Sequence, residues 1–221
     1  MTLFGNLFKR QTLFFPGCLN KFVLNELANN YLKILNKINM NYVVLKDEEV
    51  CCGGPAKTCG YKKVFTDLCT KNTELFKKNK IGKIITPDPG CYHYFKNYYT
   101  DFQVEHISEV LLRYLEFLPL KNEKITYFEP CYMENKNATA DETKNLLTAM
   151  GYEVVEIKEK MCCGAGGGLK SNLPLVANKM ARAVLNQVKT PKLITSCGMC
   201  YLHLKANASD LEVLELSQVL L

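Results

Sequence analysis

A three-residue phrase written twice constrains this chain more than any other feature. Cys51-Cys52-Gly53 is followed by Gly54-Pro55, and Cys162-Cys163-Gly164 is followed by Ala165-Gly166-Gly167-Gly168. Glycine has no Cβ, so backbone of this kind can lie close to a bulky group. Two adjacent thiols beside bare backbone point to a metal or cluster held against the chain.

The phrase belongs to a longer repeat. Phe14-Phe15-Pro16-Gly17-Cys18-Leu19 returns as Tyr127-Phe128-Glu129-Pro130-Cys131-Tyr132. The stretch Ile85 to Lys96 returns as Ile194 to Lys205, and VEHISEVLL from Val104 returns as VLELSQVLL from Val213. Corresponding cysteines are 109 to 113 residues apart. A repeat of that period is the size of a domain, so the chain reads as a duplication, with halves at residues 1–122 and 123–221. The second half carries Cys131, Cys162, Cys163, Cys197 and Cys200. The first carries Cys18, Cys51, Cys52 and Cys91, with Asp88 where the repeat calls for a fifth cysteine.

Short apolar strands alternate with helical periodicity. Strands are predicted at Thr12–Phe15, Tyr42–Leu45, Lys83–Thr86, Ile125–Phe128, Val154–Ile157 and Lys192–Thr195. Helices are predicted at Leu24–Ile38, Lys63–Phe76, Ile107–Phe117, Asp141–Met150, Leu173–Val188 and Cys200–Ala206. On the second of these, Val64, Phe65, Leu68, Leu75 and Phe76 are expected to face inward. The alternation implies an α/β fold of two pseudo-symmetric halves, each a mostly parallel sheet flanked by helices. Ligands of such sheets gather beyond the carboxyl ends of the strands. Cys18, Cys51-Cys52, Cys91, Cys131, Cys162-Cys163 and Cys197 all follow predicted strands, so the sulfurs of each half are expected to converge.

Composition narrows the chemistry. A chain of 221 residues with 48% hydrophobic residues can build a core without staples. Eleven cysteines are an odd number and suit thiolate ligation better than a disulfide framework. No apolar run reaches the ~20 residues of a membrane span, and the start, Met1 to Arg10, does not read as a signal peptide. A cytoplasmic protein is expected, peripheral to a membrane at most through a partner. The net charge of +6 is scattered, with no nucleic-acid groove. Four thiolates suffice for zinc or an iron–sulfur cluster, and a fifth favours the larger group. Cys197-Gly198-Met199-Cys200 alone also fits a dithiol redox site. Cys59 and Cys69 lack counterparts. Cys69 reads as a small core residue, and Cys59 could approach the first site. His93, His106 and His203 read as packed imidazoles and Lys170 as solvated. The glycine run lacks a dinucleotide fingerprint.

The pattern C…CCG…CxxC written twice, with FFPGCL, CCGGPA and CCGAGGG, resembles the cysteine-rich CCG domain of the B-type subunits of heterodisulfide reductases. It is similar also to the iron–sulfur subunits of glycolate, lactate and anaerobic glycerol-3-phosphate oxidation. The resemblance runs from about Thr12 to the end. It implies a [4Fe-4S] cluster, non-cubane in the heterodisulfide reductases, at each complete motif. The second cluster would use Cys131, Cys162, Cys163, Cys197 and Cys200; the first would use Cys18, Cys51, Cys52, Cys91 and the Asp88 position. Carboxylate is the harder ligand, so the first site stays open between a four-cysteine cluster, zinc, another metal and nothing. The expected function is an iron–sulfur oxidoreductase subunit passing electrons between a partner and a thiol/disulfide or another acceptor such as quinone, with the second motif carrying the chemistry. The partner would be a ferredoxin-like iron–sulfur subunit or a flavoprotein dehydrogenase. A zinc-stabilised, non-redox interaction module, and an electron-transfer subunit of a 2-hydroxy-acid or glycerol-3-phosphate dehydrogenase complex, are the alternatives.

Overall fold

A computed structural model describes residues 10–46, 48–134 and 140–221. The start from Met1 to Lys9 lies outside them. The first half opens with strand β1 (Gln11–Phe14), followed by helices α1 (Cys18–Phe22), α2 (Asn25–Lys37), α3 (Gly54–Thr58) and α4 (Lys62–Lys78). Strand β2 (Ile81–Thr86), helix α5 (Pro89–Tyr98), strand β3 (Gln103–His106) and helix α6 (Ile107–Leu111) complete it. The second half runs β4 (Lys124–Phe128), α7 (Cys131–Glu134), α8 (Ala140–Ala149), β5 (Glu153–Glu156), α9 (Leu169–Asn172), α10 (Pro174–Leu185), β6 (Lys192–Thr195), α11 (Gly198–Asn207) and β7 (Glu212–Glu215).

Each half is a parallel sheet with helices packed on it. The first sheet has the order β1-β2-β3 and the second β5-β4-β6-β7. The orders coincide once Val43 is counted. It bridges Leu13 in parallel, at the edge that β5 occupies in the other half. Tyr42–Leu45 is therefore not the strand expected from sequence. Val43 exchanges bonds with Thr12 and Phe14, both 2.9 Å, and the chain then turns away at Lys46, whose φ is +47°. Strands β3 and β7 are additions to the expected set: four residues with one or two buried positions leave little alternation to read.

Two further expectations change. Ile107–Phe117 is not one helix, because α6 ends at Leu111 and Tyr114 leaves helical geometry at φ −136°. That break lets Tyr114, Leu115 and Phe117 fold back on the core. Val64, expected inward on α4, is 49% exposed, whereas Phe65 and Phe76 are buried.

The core has three parts. One lies under the first half, around Leu13, Phe76, Ile84 and Phe95. Another lies under the second, around Phe128, Ala181, Val184 and Leu204. The largest is shared: Tyr31, Ile34 and Leu35 from α2 and Ile85 from β2 pack with Ile125, Leu146, Leu147 and Ile194 from the second half. Among the described residues no helix is long and apolar enough to cross a membrane.

Candidate metal centre

Parallel strands end on the same side, and the cysteine loops leave from there. Pro16-Gly17 carries β1 into Cys18, and residues 87–90 carry β2 into Cys91. Gly17 has φ +84°, and a Cβ there would meet the Cys91 Sγ at 3.5 Å, so the turn needs a glycine. After each vicinal pair the chain turns through a left-handed glycine, Gly53 at φ +90° and Gly164 at φ +83°. The amides of these glycines lie 3.5 Å from Cys51 Sγ and 3.4 Å from Cys162 Sγ. A Cβ at Gly53 would press to 2.7 Å from the Phe65 ring, and one at Gly164 to 3.1 Å from the Ala177 backbone. The repeated phrase is thus a matched turn that aims an N–H at the first sulfur of each pair.

In the second half all five cysteines come together. Cys163 Sγ lies 3.2 Å from Cys200 Sγ, and Cys131 Sγ lies 3.8 Å from Cys162 Sγ. Cys197, at the N-cap of α11, interacts with Cys200 and Cys163. In the first half Cys52 Sγ lies 3.3 Å from Cys91 Sγ, and Cys51 is hydrogen-bonded to both Cys18 and Cys52. Asp88 holds the place of Cys197 but uses it differently. Its Oδ1 accepts from the Cys91 amide at 2.7 Å, an N-cap on α5 that Cys197 does not make on α11.

The electrostatics separate the two sets. Donation from the Cys131 and Cys163 thiols, with the Gly164 amide, holds the Cys162 thiol far below its ordinary range. Its neighbours respond in the opposite sense. The bond to Cys162 pushes Cys131 up, and Cys163 rises to about 12. In the first set no thiol is lowered. Cys18 is raised by its bond to Cys51 and by burial; Cys51 itself, though Cys18 donates to it, is pushed up to about 11 by Cys52 and burial. Burial raises Asp88, against the Cys91 N–H that favours its charged form. Each set is a crowd of sulfurs that resist ionising together, and a positive metal centre removes that resistance. Among the described residues no three His, Cys, Asp or Glu side chains are set around a point fit for a single ion. The sulfurs instead form linked pairs.

The glycine run borders the other half's site. Gly166, Gly167 and Gly168 line a cavity of about 220 Å³ at the first cysteine set, together with Cys18, Cys91 and Cys59. A Cβ at Gly166 would meet nothing within 4 Å, so the second half lends its bare loop to the first half's site. Cys59 is exposed and Cys69 packs against the first core. His203 is buried with Nε2 3.1 Å from the Ala177 carbonyl, His106 is buried, His93 stacks near Tyr94 and Tyr132, and Lys170 is exposed. Sequence reasoning passes over Thr58, Tyr94 and Tyr132, which line the same cavity. One signal is available: Tyr132 directly follows Cys131 where the first copy has Leu19.

The model of the cysteine-rich domain family matches residues 12–96 and again residues 125–205. An uncharacterised iron–sulfur protein of Methanocaldococcus jannaschii is 33% identical over 205 residues, covering 89% of this chain and 41% of its own length. An iron–sulfur relative from Methanothermobacter marburgensis, a component of its fumarate reductase (CoM/CoB), is 30% identical, covering 87% and 41%. A component of the dihydromethanophenazine:CoB–CoM heterodisulfide reductase of Methanosarcina mazei is 29% identical, covering 93% and 56%. The chain thus spans about two fifths to little more than half of the length of these relatives.

Proposed function

Because this chain belongs to the cysteine-rich CCG domain family and carries its motif in both halves, we propose that it is an iron–sulfur redox subunit of the heterodisulfide reductase type. Its relatives are iron–sulfur proteins and oxidoreductase subunits. In this reading Cys131, Cys162, Cys163, Cys197 and Cys200 hold a [4Fe-4S] cluster, which when bound takes up and gives back electrons. Cys18, Cys51, Cys52 and Cys91 form a second seat, with Asp88 at its edge. The chain divides at residues 1–122 and 123–221, and the two family matches fall on either side of that line.

The observation that carries the reading is the junction of the second set, with Cys163 and Cys200 sulfurs 3.2 Å apart and Cys131 and Cys162 sulfurs 3.8 Å apart. Separate loops supply those sulfurs. A donor set of thiols alone, in linked pairs, suits several irons better than one hard cation. The chain's own work is to present sulfur and to bias its charge. Gly164 N–H points at Cys162, and burial around Cys163 and Cys200 excludes water. Electrons would pass between a partner, a ferredoxin-like iron–sulfur subunit or a flavoprotein dehydrogenase, and a thiol/disulfide or another acceptor. The relatives' names as subunits support a partner of this kind.

Anaerobic purification with iron and sulfide assays and EPR tests the proposal. Iron and acid-labile sulfide bound in stoichiometric amounts are expected. Stoichiometric zinc with no sulfide after reconstitution would overturn it.

A further inference from the structure

The cavity at the first cysteine set has a wall that the cluster reading does not use. Thr58 Oγ1 lies 2.8 Å from Tyr94 Oη and 3.4 Å from Tyr132 Oη, and the two phenol oxygens are 3.3 Å apart. Thr58 also donates to the Gly54 carbonyl at 3.0 Å. Its single proton is spent there, so Tyr94 donates to Thr58. The cluster straddles the halves: Thr58 and Tyr94 come from α3 and α5, Tyr132 from α7.

It has no twin. The position equivalent to Tyr132 is Leu19, and that equivalent to Tyr94 is His203, which is buried and turned to the Ala177 carbonyl. The rest of the wall is apolar or bare, with Leu19, Pro55, Ala165 and Met199 beside the glycine run. Among the described residues that line the cavity none is Lys, Arg or His. Every ionisable group there is a thiol, a phenol or the Asp88 carboxyl, each neutral or negative. An anion entering would lose its water and meet no counter-charge. A neutral guest with a carbonyl oxygen would keep its apolar body on Leu19 and Met199 and take a hydrogen bond from the hydroxyl wall. The volume, about 220 Å³, equals about seven water molecules at ≈ 30 Å³ each, a ring-sized space.

We propose that this cavity binds a neutral, carbonyl-bearing acceptor of the quinone class, oriented by the Thr58–Tyr94–Tyr132 hydroxyl cluster. The proposal rests on the redox reading for its purpose but not for its geometry. It selects one acceptor class from those left open above and moves the acceptor to the first half.

Isothermal titration calorimetry on anaerobically purified protein, with iron and sulfide assayed on the same sample, tests it. The probes are duroquinone, whose ring carbons are all substituted against thiol addition, and 3,3′-dithiodipropionate, a dianionic disulfide. Duroquinone is expected to bind at least tenfold more tightly than the dianion. Tyr132→Phe, which keeps the ring, should weaken duroquinone about three- to tenfold, the worth of one hydrogen bond. Thr58→Val should act in the same direction, and Tyr61→Phe, an exposed phenol outside the cavity, should not. Equal affinity for the dianion, or unchanged duroquinone affinity in Tyr132→Phe, would overturn the proposal. Quinone binding by a sample without iron or sulfide would instead sink the redox reading and leave the binding site standing.

Discussion

The two halves share a strand order, a pair of left-handed glycine turns and a row of cysteines, yet they handle charge in opposite ways. The contrast is plainest at one pair of equivalent positions. His106 ends β3 and caps α6; Glu215 ends β7 and caps the 3-10 turn at Leu216–Gln218. Both are completely buried. His106 donates from Nε2 to the Pro87 carbonyl and accepts at Nδ1 from Ser108, which fixes one neutral tautomer. Glu215 accepts from Tyr31 at 2.6 Å and from the Ser217 amide at 2.8 Å. Burial pushes the imidazole down to about 4 and the carboxyl up to about 7. Duplication preserved the cap and let its chemistry diverge. The same happened at Asp88 and Cys197, where one residue fastens a helix and the other joins the sulfurs.

The largest effect that could break this comparison is on metal content. Cys162→Ser is expected to remove all the iron and sulfide held by the second set, and Cys51→Ser to leave that share in place. Identical losses in the two variants, by chemical assay, would mean that both halves serve one group.

Next comes pH, where the halves should pull against each other. Glu215 titrates at about 7 in the fold against an ordinary 4.5, so its contribution is complete below about 4.5 and is lost as pH rises through 7. At 1.36 kcal/mol per unit of pKa this is about 3 kcal/mol. His106 titrates at about 4 against an ordinary 6.5, so its contribution is complete above about 6.5 and is lost as pH falls through 4, again by about 3 kcal/mol. Thermal unfolding between pH 4 and 8 should therefore respond to Glu215→Gln on the alkaline side and to His106→Asn on the acid side. Parallel profiles for the two variants would dissolve the contrast.

A smaller loss is expected from Tyr31→Phe, which strips the Glu215 carboxyl of its bond from α2 and should cost about 1–3 kcal/mol in denaturant unfolding. The smallest concerns the caps. In metal-free protein Asp88→Ala should cost about 1 kcal/mol through loss of the bond to the Cys91 amide, while Cys197→Ala, with no cap to lose, should cost less. Equal costs would show that Asp88 does no more for its helix than the cysteine does.

The cysteine sets are legible in the sequence because their signal is repetition: two copies agreeing over a hundred residues apart outweigh any single CxxC. The alternation of strands and helices is legible because β2 and β4 are buried along most of their length. Strands β3 and β7 are not, since four residues at a sheet margin carry too few apolar side chains to show a period. The hydroxyl wall is hidden for a different reason. Thr58, Tyr94 and Tyr132 are 36 to 74 residues apart, and only the docking of one half on the other brings them together. The glycine run misleads in the same way, reading as the cradle of its own half's sulfurs when it borders its neighbour's.

The shared core carries a consequence for how such a molecule arose. A single half cut free would bare Ile85, Tyr31 and Leu35, or Ile125, Leu146 and Ile194, to water, and its nearest remedy would be another copy of itself presenting the same surface. The ancestor implied by that seam is a self-pairing half-length chain. Tying two copies end to end made their meeting independent of concentration, and freed each copy to mutate without imposing the change on its twin.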